Sequence, residues 1–279
     1  MKKGIRRALP AHRVALLVGL ALVTLLVVCA LFGPAIAPQG ADEVDPTAAL
    51  QSPGEGHLLG TDEDGRDLLS LVIHGARSAA IVGLGTVSIS LVFGTLLGCL
   101  SGYFGGWWDE VGMRFVELAL AFPGILLAIF IVFLTRDPGL WAVILALSAT
   151  GWAGYARLVR GQVLVLRERP HVEAARGLGA SHVRILWVHV LPGLSGPLAV
   201  QATFGLAGAV LAEASLSFLG LGPQGVVSWG ALLDQGTVLF LKTPWVAISA
   251  GMAIFATVLG VNLVGDALRD ALDPHAQRA

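Results

Sequence analysis

Long apolar runs alternate with shorter polar stretches along the whole chain. An apolar run of about 20 residues can cross the hydrocarbon core of a membrane as a helix. Such runs lie at about 14–37, 79–101, 116–134, 139–155, 198–219 and 245–267. The pattern therefore predicts an all-α membrane protein with about six transmembrane helices.

The composition agrees with this prediction. Of the 279 residues, 55% are hydrophobic and only 13% are charged, whereas soluble domains carry about 25% charged residues. The first apolar run follows five basic residues, as in a signal peptide, but it is long and is followed by Pro34 and Pro38 rather than by a small-residue cleavage site. We interpret this run as an uncleaved membrane anchor.

The distribution of basic residues predicts the orientation, because Lys and Arg are enriched on the cytoplasmic side of membrane proteins. With the N-terminus inside, 14 of the 18 Lys and Arg residues fall in cytoplasmic segments and 4 fall outside. We therefore expect both termini in the cytoplasm. The expected order is a cytoplasmic N-terminus (1–13), an anchor helix (14–37), an extracytoplasmic acidic loop (38–78), a five-helix core (79–267) that includes a cytoplasmic loop (156–197), and a cytoplasmic tail (268–279).

Glycines recur at four-residue spacing in the second span, at Gly94, Gly98 and Gly102. Small residues at this spacing let two helix backbones approach closely in lipid. We interpret the stripe as packing within the chain rather than as a dimer seam.

The cytoplasmic loop between the fourth and fifth spans carries the most informative pattern. Pro170 suits the first turn of a helix, which Gly177 and Gly179 would end. Ser181 can cap a second helix, which Pro192 would stop. The loop is therefore predicted to form two short helices across the membrane face, in a compact shape that can dock on a partner.

The residues of this loop resemble the EAA signature of bacterial ABC importer permeases. That signature reads Glu-Ala-Ala, three residues, Gly, nine residues, Ile, one residue, Leu-Pro. Here it corresponds to Glu173-Ala174-Ala175, Gly179 and Leu191-Pro192, with His189 in place of the Ile. The His-Val-Leu-Pro ending is similar to the peptide and nickel branch of these permeases.

Further stretches resemble the same branch, in the same order, over roughly residues 14 to 275. They are Leu59-Gly60-Thr61-Asp62 with Gly65-Arg66-Asp67, Gly75-Ala76-Arg77, Gly102-Tyr103-Phe104-Gly105-Gly106, Ala121-Phe122-Pro123-Gly124, Glu213-Ala214-Ser215-Leu216-Ser217-Phe218-Leu219-Gly220 and Leu268-Arg269-Asp270-Ala271-Leu272-Asp273-Pro274.

The resemblance implies a type I ABC importer permease fold and a set of partners. A second homologous permease would share the pore, and two ATP-binding subunits would each receive one EAA-loop helix. A solute-binding protein outside would deliver a peptide or a related small solute, and lipid would surround the helices. By position, Glu173, Ala174, Ala175, Gly179, Leu191 and Pro192 would form the coupling contact with an ATP-binding subunit.

The chain offers no ATP site or cofactor site of its own. A phosphate-binding loop requires a glycine-rich turn before Gly-Lys and Ser or Thr. Lys242 precedes Thr243, but Leu241 stands before it and no glycine-rich turn leads in. We therefore expect a transport subunit rather than an enzyme, with ATP hydrolysis on separate subunits and no cofactor.

Metal and nucleic-acid sites are not expected either. No two of the seven histidines stand three or four positions apart, and Cys-x-x-Cys and His-Glu-x-x-His are absent from the sequence. Asp62-Glu63-Asp64-Gly65 faintly resembles a calcium loop, but the later ligands do not follow. We interpret it as a solvated acidic loop. The basic residues fit membrane topology rather than nucleic-acid binding.

Two other function classes remain as alternatives. Gly193-Leu194-Ser195-Gly196 resembles the motif of intramembrane serine proteases, but the only later histidine is His275, near the C-terminus. A channel or secondary transporter would be marked by ionisable residues inside the spans, and these are nearly free of them; Glu117 and Glu213 lie near span ends. The solute, the pore-lining residues and the role of Glu213 stay open at this point.

Overall fold

The structure is a computed structural model that describes residues 8–54, 56–135 and 138–272, with side chains described from residue 13 onward. The turn at Arg136 and Asp137, His275 and most of both termini lie outside the described residues. The described part is helical, without a β-strand. Its helices are α1 (Ala8–Ile36), α2 (Leu68–Phe104), α3 (Gly106–Ala121), α4 (Gly124–Leu134), α5 (Leu140–Leu166), α6 (Pro170–Gly177), α7 (His182–Arg184), α8 (Leu191–Phe218), α9 (Trp229–Val238) and α10 (Pro244–Leu272).

The expected membrane spans are present. Within the described ranges, five helical runs are long and apolar enough to cross a membrane, namely α1, α2, α5, the continuous run from α7 through α8, and α10. Helices α3 and α4, which meet at an angle of 82°, make a sixth span if the bent pair crosses the membrane as one unit. The prediction of an all-α protein with about six spans is therefore confirmed.

Close contacts between helices give the bundle two distinct ends. A Cβ atom added at Gly193 would lie 3.1 Å from Leu166, and one at Gly19 would lie 2.8 Å from Leu263, so α5 and α10 finish where α1 and α8 begin. We call this the α6 end. At the opposite end, a Cβ at Gly33 would lie 3.4 Å from Ile73 near the start of α2. We call that end, which also carries α9, the α9 end. Thus α1 begins at the α6 end of the bundle, and α10 finishes at that same end.

The glycine stripe of α2 packs against α5, as predicted. A Cβ at Gly94 would lie 2.5 Å from the carbonyl oxygen of Trp152, and one at Gly98 would lie 2.5 Å from that of Ala156. Only glycine permits this distance, so α2 and α5 run parallel to each other in close backbone contact. The stripe serves packing within the chain.

The predicted third span is not one straight helix. The sequence analysis placed it at 116–134, but the helix breaks at Phe122 and Pro123. Proline lacks an N–H donor, and its ring drives the preceding residue out of the helical region. Phe122 accordingly has φ −88° and ψ 136°. Because of the break, the first turn of α4 lies partway along the bundle rather than at one of its ends.

The cytoplasmic loop predicted at 156–197 is shorter in the structure. Helix α5 continues to Leu166, and a continuous helical run begins again at His182. The prediction that Pro192 ends a helix is wrong. A π-helical segment, Ile185–Val190, precedes α8, and Pro192 then occupies the first turn of α8. The wider π turn accommodates a proline ring that would clash with a regular preceding turn.

The backbone of the acidic segment before α2 is held by hydrogen bonds to carboxylates of the same segment. Asp62 is fully buried, and its carboxylate accepts hydrogen bonds from the backbone N–H groups of Asp64 (3.0 Å) and Arg66 (2.8 Å) and from the Arg66 guanidinium (2.7 Å). The interpretation as a solvated acidic loop is therefore wrong for Asp62. Gly65 closes this turn with φ +78°, and an added Cβ would collide with the carbonyl of Asp45.

Two further aspartates cap the helical elements of the same segment. Asp67 is the N-cap of α2 and accepts from the backbone N–H (2.8 Å) and the hydroxyl (2.7 Å) of Ser70. Asp45 caps a short 3₁₀ turn, and hydrogen bonds from the Thr47 hydroxyl and backbone N–H hold the pKa of Asp45 below its ordinary value. The carboxylates of this segment thus fix its backbone.

Candidate coupling site

The local sequence explains why α6 forms where it does. Pro170 occupies the first turn, where its missing N–H costs nothing, and Arg169 before it is extended (φ −76°, ψ 144°). Glu173 lies in the first turn, where a carboxylate interacts favourably with the helix dipole. The helix ends at Gly177, and Gly179 follows with φ +79°. This helix was predicted from Pro170 and the two glycines.

Two side chains attach α6 to the rest of the chain. Val172 and Ala175, three residues apart, are buried. They join an apolar cluster formed by the end of α5 and the start of the α7–α8 run, which includes Val163, Leu166 and Ile185. The sequence analysis placed Ala175 in the outward coupling contact, but Ala175 faces its own chain.

The outward face of α6 carries the remaining motif residues. Glu173, Ala174 and Gly179 are exposed. Among the described residues, no α6 side chain makes a hydrogen bond or an ion pair. Helix α6 is therefore attached to the bundle by apolar packing and by a ring contact between His171 and His189, whose centroids lie 6.3 Å apart, and Glu173 on its outward face is exposed.

Large apolar side chains that the sequence analysis missed surround this face. Leu178 is 88% exposed, Val183 is 66% exposed and Trp187 is 65% exposed. Exposed aromatic and aliphatic side chains beside a free helix face are typical of a protein–protein contact. Spacing alone does not reveal this exposure, because Leu178 continues the three-residue spacing of the buried Val172 and Ala175 but lies just beyond the end of α6.

The last two motif residues lie at the start of α8. Leu191 is half-buried and packs on the same apolar cluster as Val172, while Pro192 is exposed. They are separated from the exposed face of α6 by the π-helical segment. The structure therefore divides the six predicted coupling residues into outward ones and ones that connect α6 to the bundle.

Polar contacts link the other elements at the α6 end. The Tyr103 hydroxyl lies 3.0 Å from Nδ1 of His182, joining α2 to α7. The Arg167 guanidinium donates to the carbonyl oxygen of Gly102 at 2.9 Å. Arg160 makes a bidentate ion pair with Asp109 (2.5 and 2.7 Å), joining α5 to the first turn of α3. These contacts connect the end of α5 to α2 and α3.

Glu213, whose role was open, is a structural residue at the α9 end. It is 1% exposed, and its Oε1 accepts from the hydroxyls of Ser217 (2.7 Å) and Ser228 (2.8 Å). Ser228 is also the N-cap of α9, a helix that the sequence analysis did not predict between the last two apolar runs. Glu213 thus fastens α9 to α8.

Sites for the alternative chemistries are not supported. Within the part of the chain that the structure describes, no group of three or more His, Cys, Asp or Glu side chains is arranged to hold a metal ion. The hydroxyl of Ser195 donates to the carbonyl oxygen of Pro192 in its own helix at 2.8 Å. A serine engaged in this way is not activated by a histidine base.

The architecture alone indicates the class of protein. A bundle of about six membrane-crossing helices presents, at one end, a short helix whose polar face is free and whose apolar face is wedged between two spans. This is the architecture of a multi-pass α-helical membrane protein that exposes a short helix at one end of its bundle.

Comparison with known families identifies the class more closely. Residues 94–278 match the family described as binding-protein-dependent transport system inner membrane component. Residues 3–53 match the N-terminal transmembrane domain of oligopeptide transport permease C. The chain belongs to the family of binding-protein-dependent transport system inner membrane components. It is a multi-pass protein of the bacterial inner membrane and a permease subunit.

Similar curated proteins cover nearly the whole chain. The di/tripeptide transport system permease protein DppC of Pseudomonas aeruginosa is 41% identical over 96% of this chain and 91% of its own length. The dipeptide transport system permease protein DppC of Alkalihalophilus pseudofirmus is 40% identical over 92% and 85%. The glutathione transport system permease protein GsiD of Escherichia coli is 43% identical over 90% and 84%.

A solved structure shows the same fold. A chain of the inward-facing MetNI methionine ABC transporter superimposes with a TM-score of 0.59, covering 73% of this chain and 96% of that chain at 21% identity. The expectation of an ABC importer permease fold is confirmed.

Proposed function

We propose that this permease imports short peptides or closely related solutes, in an ATP-driven assembly with a second homologous permease, two ATP-binding subunits and an extracytoplasmic solute-binding protein. Relatives at about 40% identity are named for dipeptides, di/tripeptides and glutathione. These solutes share peptide bonds and free carboxylates. The alternatives of a channel, a secondary transporter or an intramembrane protease have no supporting observation.

The proposal for coupling rests on one observation, the asymmetry of α6. Its exposed face carries Glu173 and Ala174, and its buried face carries Val172 and Ala175. An ATP-binding subunit that receives the exposed face can therefore move the helix as a whole. The buried face then transmits the movement to the ends of α5 and of the α7–α8 run.

The α5–α2 packing extends this movement across the membrane. The backbones of α2 and α5 meet at Gly94 and Gly98 without intervening side chains. Helices in such contact move as one body, because interdigitated packing has little compliance. Tilting α5 at the α6 end therefore changes the positions of both helices at mid-membrane, where a pore shared with the second permease would open and close.

The orientation completes the proposal. ATP is cytoplasmic, so coupling requires the α6 end to face the cytoplasm. The excess of Lys and Arg in the segments of that end supports the same orientation. The α9 end, with α9 and the folded acidic segment, would then meet the solute-binding protein.

Co-purification tests the coupling assignment. The tagged chain, expressed with its partner subunits, is purified from membranes as wild type, as Glu173→Arg and as Glu110→Arg. Glu110 is also an exposed glutamate at the α6 end, but it lies on α3. We expect ATP-binding subunits with the wild type and with Glu110→Arg, and a clear loss with Glu173→Arg. Equal recovery with all three would contradict the role of α6.

A further inference from the structure

An arginine without a partner lies inside the span formed by α5. The sequence analysis placed Arg157 in the cytoplasmic loop, but α5 continues beyond it to Leu166. At 1.5 Å per residue, Arg157 lies about 14 Å along the axis from that end of the helix. It is exposed, and it makes no hydrogen bond or ion pair among the described residues. A charge at this depth is costly beside lipid, and such residues face a water-filled space.

Glycines flank Arg157 on the same side of α5. Gly154 stands three residues before it and Gly161 four residues after it, so the three share one helix face, and all three are exposed. An added Cβ at Gly161 would meet no atom of the described chain within 4 Å, and one at Gly154 would meet only Nε2 of Gln201, at 4.0 Å. This face of α5 therefore borders open space.

The face of Arg157 points away from α2. Residues two positions apart on a helix point in nearly opposite directions. Tyr155 and Val159 stand two positions before and after Arg157, and both contact α2. A Cβ added at Gly94 would lie 2.6 Å from Tyr155, and one added at Gly98 would lie 2.7 Å from Val159. Arg157 is therefore on the side of α5 opposite to α2.

A charged stripe on α3 points away from α2 as well. Glu110, Arg114 and Glu117 share one helix face and are exposed, and Arg114 donates to Glu117 at 3.0 Å. Gly112 stands two positions from both Glu110 and Arg114, and an added Cβ there would collide with the Ser101 hydroxyl of α2. The stripe and Arg157 thus lie on the same side of the α3–α5 pair.

A second exposed face of α3 is apolar. Trp108 is 54% exposed and Phe115 is 60% exposed, and their spacing of seven residues places them on one side of the helix. Phe115 is two positions from Glu117, so the apolar face and the charged face point in nearly opposite directions. The apolar face is suited to lipid, whereas the charged face requires water.

The charges of the two helices also lie at a similar depth. Val116 of α3 packs with Ala153 and Ala156 of α5. Ala156 directly precedes Arg157, and Val116 lies between Arg114 and Glu117. The side of the α3–α5 pair opposite to α2 is therefore charged from the α6 end up to the level of Ala156.

We propose that this side of the α3–α5 pair lines the solute route between the α6 end and mid-membrane, and that Arg157 binds a carboxylate group of the passing solute. The inference rests on the proposed function, because peptides supply the free carboxylate. A guanidinium presents paired donors that match a carboxylate.

The surroundings of Arg157 suit a transient contact. No carboxylate of the described chain must be displaced before a solute binds, and Gly154 and Gly161 leave room for the solute beside the guanidinium. Arg114 is already paired with Glu117 and keeps the route polar. An arginine stays protonated in proteins, so Arg157 can bind an anion but cannot relay protons as a proton-coupled transporter requires.

Cysteine labelling tests whether this side is wet. In a chain with Cys29→Ala and Cys99→Ala, assembled with its partner subunits in inside-out vesicles without nucleotide, single cysteines are introduced as Glu117→Cys, Gly154→Cys or Phe115→Cys. With a membrane-impermeant maleimide, we expect fast labelling of the first two. Phe115→Cys should label slowly, although Phe115 is also exposed. Equal labelling at all three positions, or slow labelling at the first two, would overturn the route.

Uptake of labelled dialanine tests the role of Arg157. The complete transporter is reconstituted in proteoliposomes with the binding protein and ATP, as wild type, Arg157→Gln, Arg157→Lys and Arg269→Gln. Arg269 is also exposed and without a hydrogen bond or ion pair among the described residues, but it lies in the last turn of α10. Losing a charge-assisted contact predicts uptake about tenfold slower for Arg157→Gln. Arg157→Lys should recover part of it, and Arg269→Gln should stay within about twofold.

The C-terminal amide of dialanine separates carboxylate binding from a structural role. The binding protein is the same in every assay, so a change in the ratio of dialanine uptake to amide uptake belongs to the permease. This ratio should fall about tenfold from the wild type to Arg157→Gln. If Arg157→Gln slows both solutes equally, Arg157 does not bind the carboxylate and the inference is overturned.

The remaining outcomes separate the inference from the function. The second permease should co-purify equally with the wild type and with Arg157→Gln. Its loss from the variant would assign Arg157 to the contact between permeases and overturn the inference. If both take up dialanine at the same rate, the inference is overturned while the proposed function stands. If the wild type takes up no dialanine, the proposed solute class is wrong and the role of Arg157 falls with it.

Discussion

Helix α6 at one end of the bundle, and the acidic segment with α9 at the other, are held in place by different interactions. At the α9 end, the carboxylates of Asp62, Asp67 and Glu213 are each at most 4% exposed, and each accepts hydrogen bonds from named partners. At the α6 end, α6 is held by Val172, Ala175 and a His171–His189 ring contact, and none of its side chains makes a hydrogen bond or an ion pair among the described residues. Directional hydrogen bonds fix the acidic segment and α9, whereas the apolar attachment of α6 leaves that helix free to shift relative to the hydrogen-bonded helices around it.

This difference agrees with the division of labour proposed for the two ends. A segment that meets a solute-binding protein gains from a fixed shape. A helix that is pushed by an ATP-binding subunit must change position without losing its attachment, and apolar surfaces can slide where hydrogen bonds would break. The predictions below test the difference, beginning with the largest expected loss of stability.

Removing the Asp62 carboxylate should have the largest effect. Asp62→Ala leaves two backbone N–H groups and the Arg66 guanidinium without their acceptor, which should cost about 3 kcal/mol of unfolding free energy. The thermal midpoint of the purified complex measures the loss. Asp64→Ala is the control, because Asp64 is 52% exposed and also pairs with Arg66, so it should change stability by less than about 0.5 kcal/mol. Equal effects would contradict a folded acidic segment.

The next effect comes from adding one methyl group at matched glycines. At Gly230, an added Cβ would collide with the carbonyl of Ala214, so Gly230→Ala should cost about 2 kcal/mol. At Gly177, at the end of α6, an added Cβ meets no atom within 4 Å. Gly177→Ala should be neutral or slightly stabilising. If Gly230→Ala and Gly177→Ala lower the thermal midpoint equally, the proposed difference in packing between the α9 end and α6 is contradicted.

Glu213 should show an intermediate effect that depends on the replacement. Glu213→Ala leaves the Ser217 and Ser228 hydroxyls without an acceptor and should cost about 1–2 kcal/mol. Glu213→Gln keeps a carbonyl oxygen for both hydroxyls and should cost less. If the two variants unfold at the same temperature, hydrogen bonding by Glu213 does not fasten α9.

Trp187 should show the smallest effect on stability and a large one on association. Trp187→Ala removes a side chain that is 65% exposed, so the thermal midpoint of the isolated permease should change little. Recovery of ATP-binding subunits should nevertheless fall about tenfold or more if Trp187 lies in the docking surface. Trp141→Ala, at an exposed tryptophan of α5 far from α6, should leave recovery unchanged.

The sequence predicted the spans because an apolar run of sufficient length is itself the requirement for crossing a membrane. It also predicted α6, since Pro170, Gly177 and Gly179 act within a few residues of their positions. Proline in longer helices was predicted less well. Pro123 breaks a span that was expected to be straight, and Pro192 continues a helix that was expected to end. The outcome depends on whether the preceding turn can widen, as the π-helical segment does before Pro192.

Side-chain environments within the candidate sites depended on tertiary structure. Helical periodicity from Val172 would have placed Ala175 inward, but the motif alone groups it with Ala174. The burial of Glu213 requires Ser228, 15 residues away on another helix. Local sequence patterns thus predicted the helices, whereas contacts between helices determined which side chains are buried and which partners they bind.

The most direct test of the central claim compares two neighbouring alanines of α6. In a chain with Cys29→Ala and Cys99→Ala, a single cysteine is placed at Ala174 or at Ala175, and inside-out vesicles are treated with a membrane-impermeant maleimide. We predict rapid labelling of Ala174→Cys, protection of it when the ATP-binding subunits are bound, and slow labelling of Ala175→Cys in either case. Labelling of Ala174→Cys that is unaffected by those subunits, or that occurs only from the opposite side of the membrane, would contradict the account.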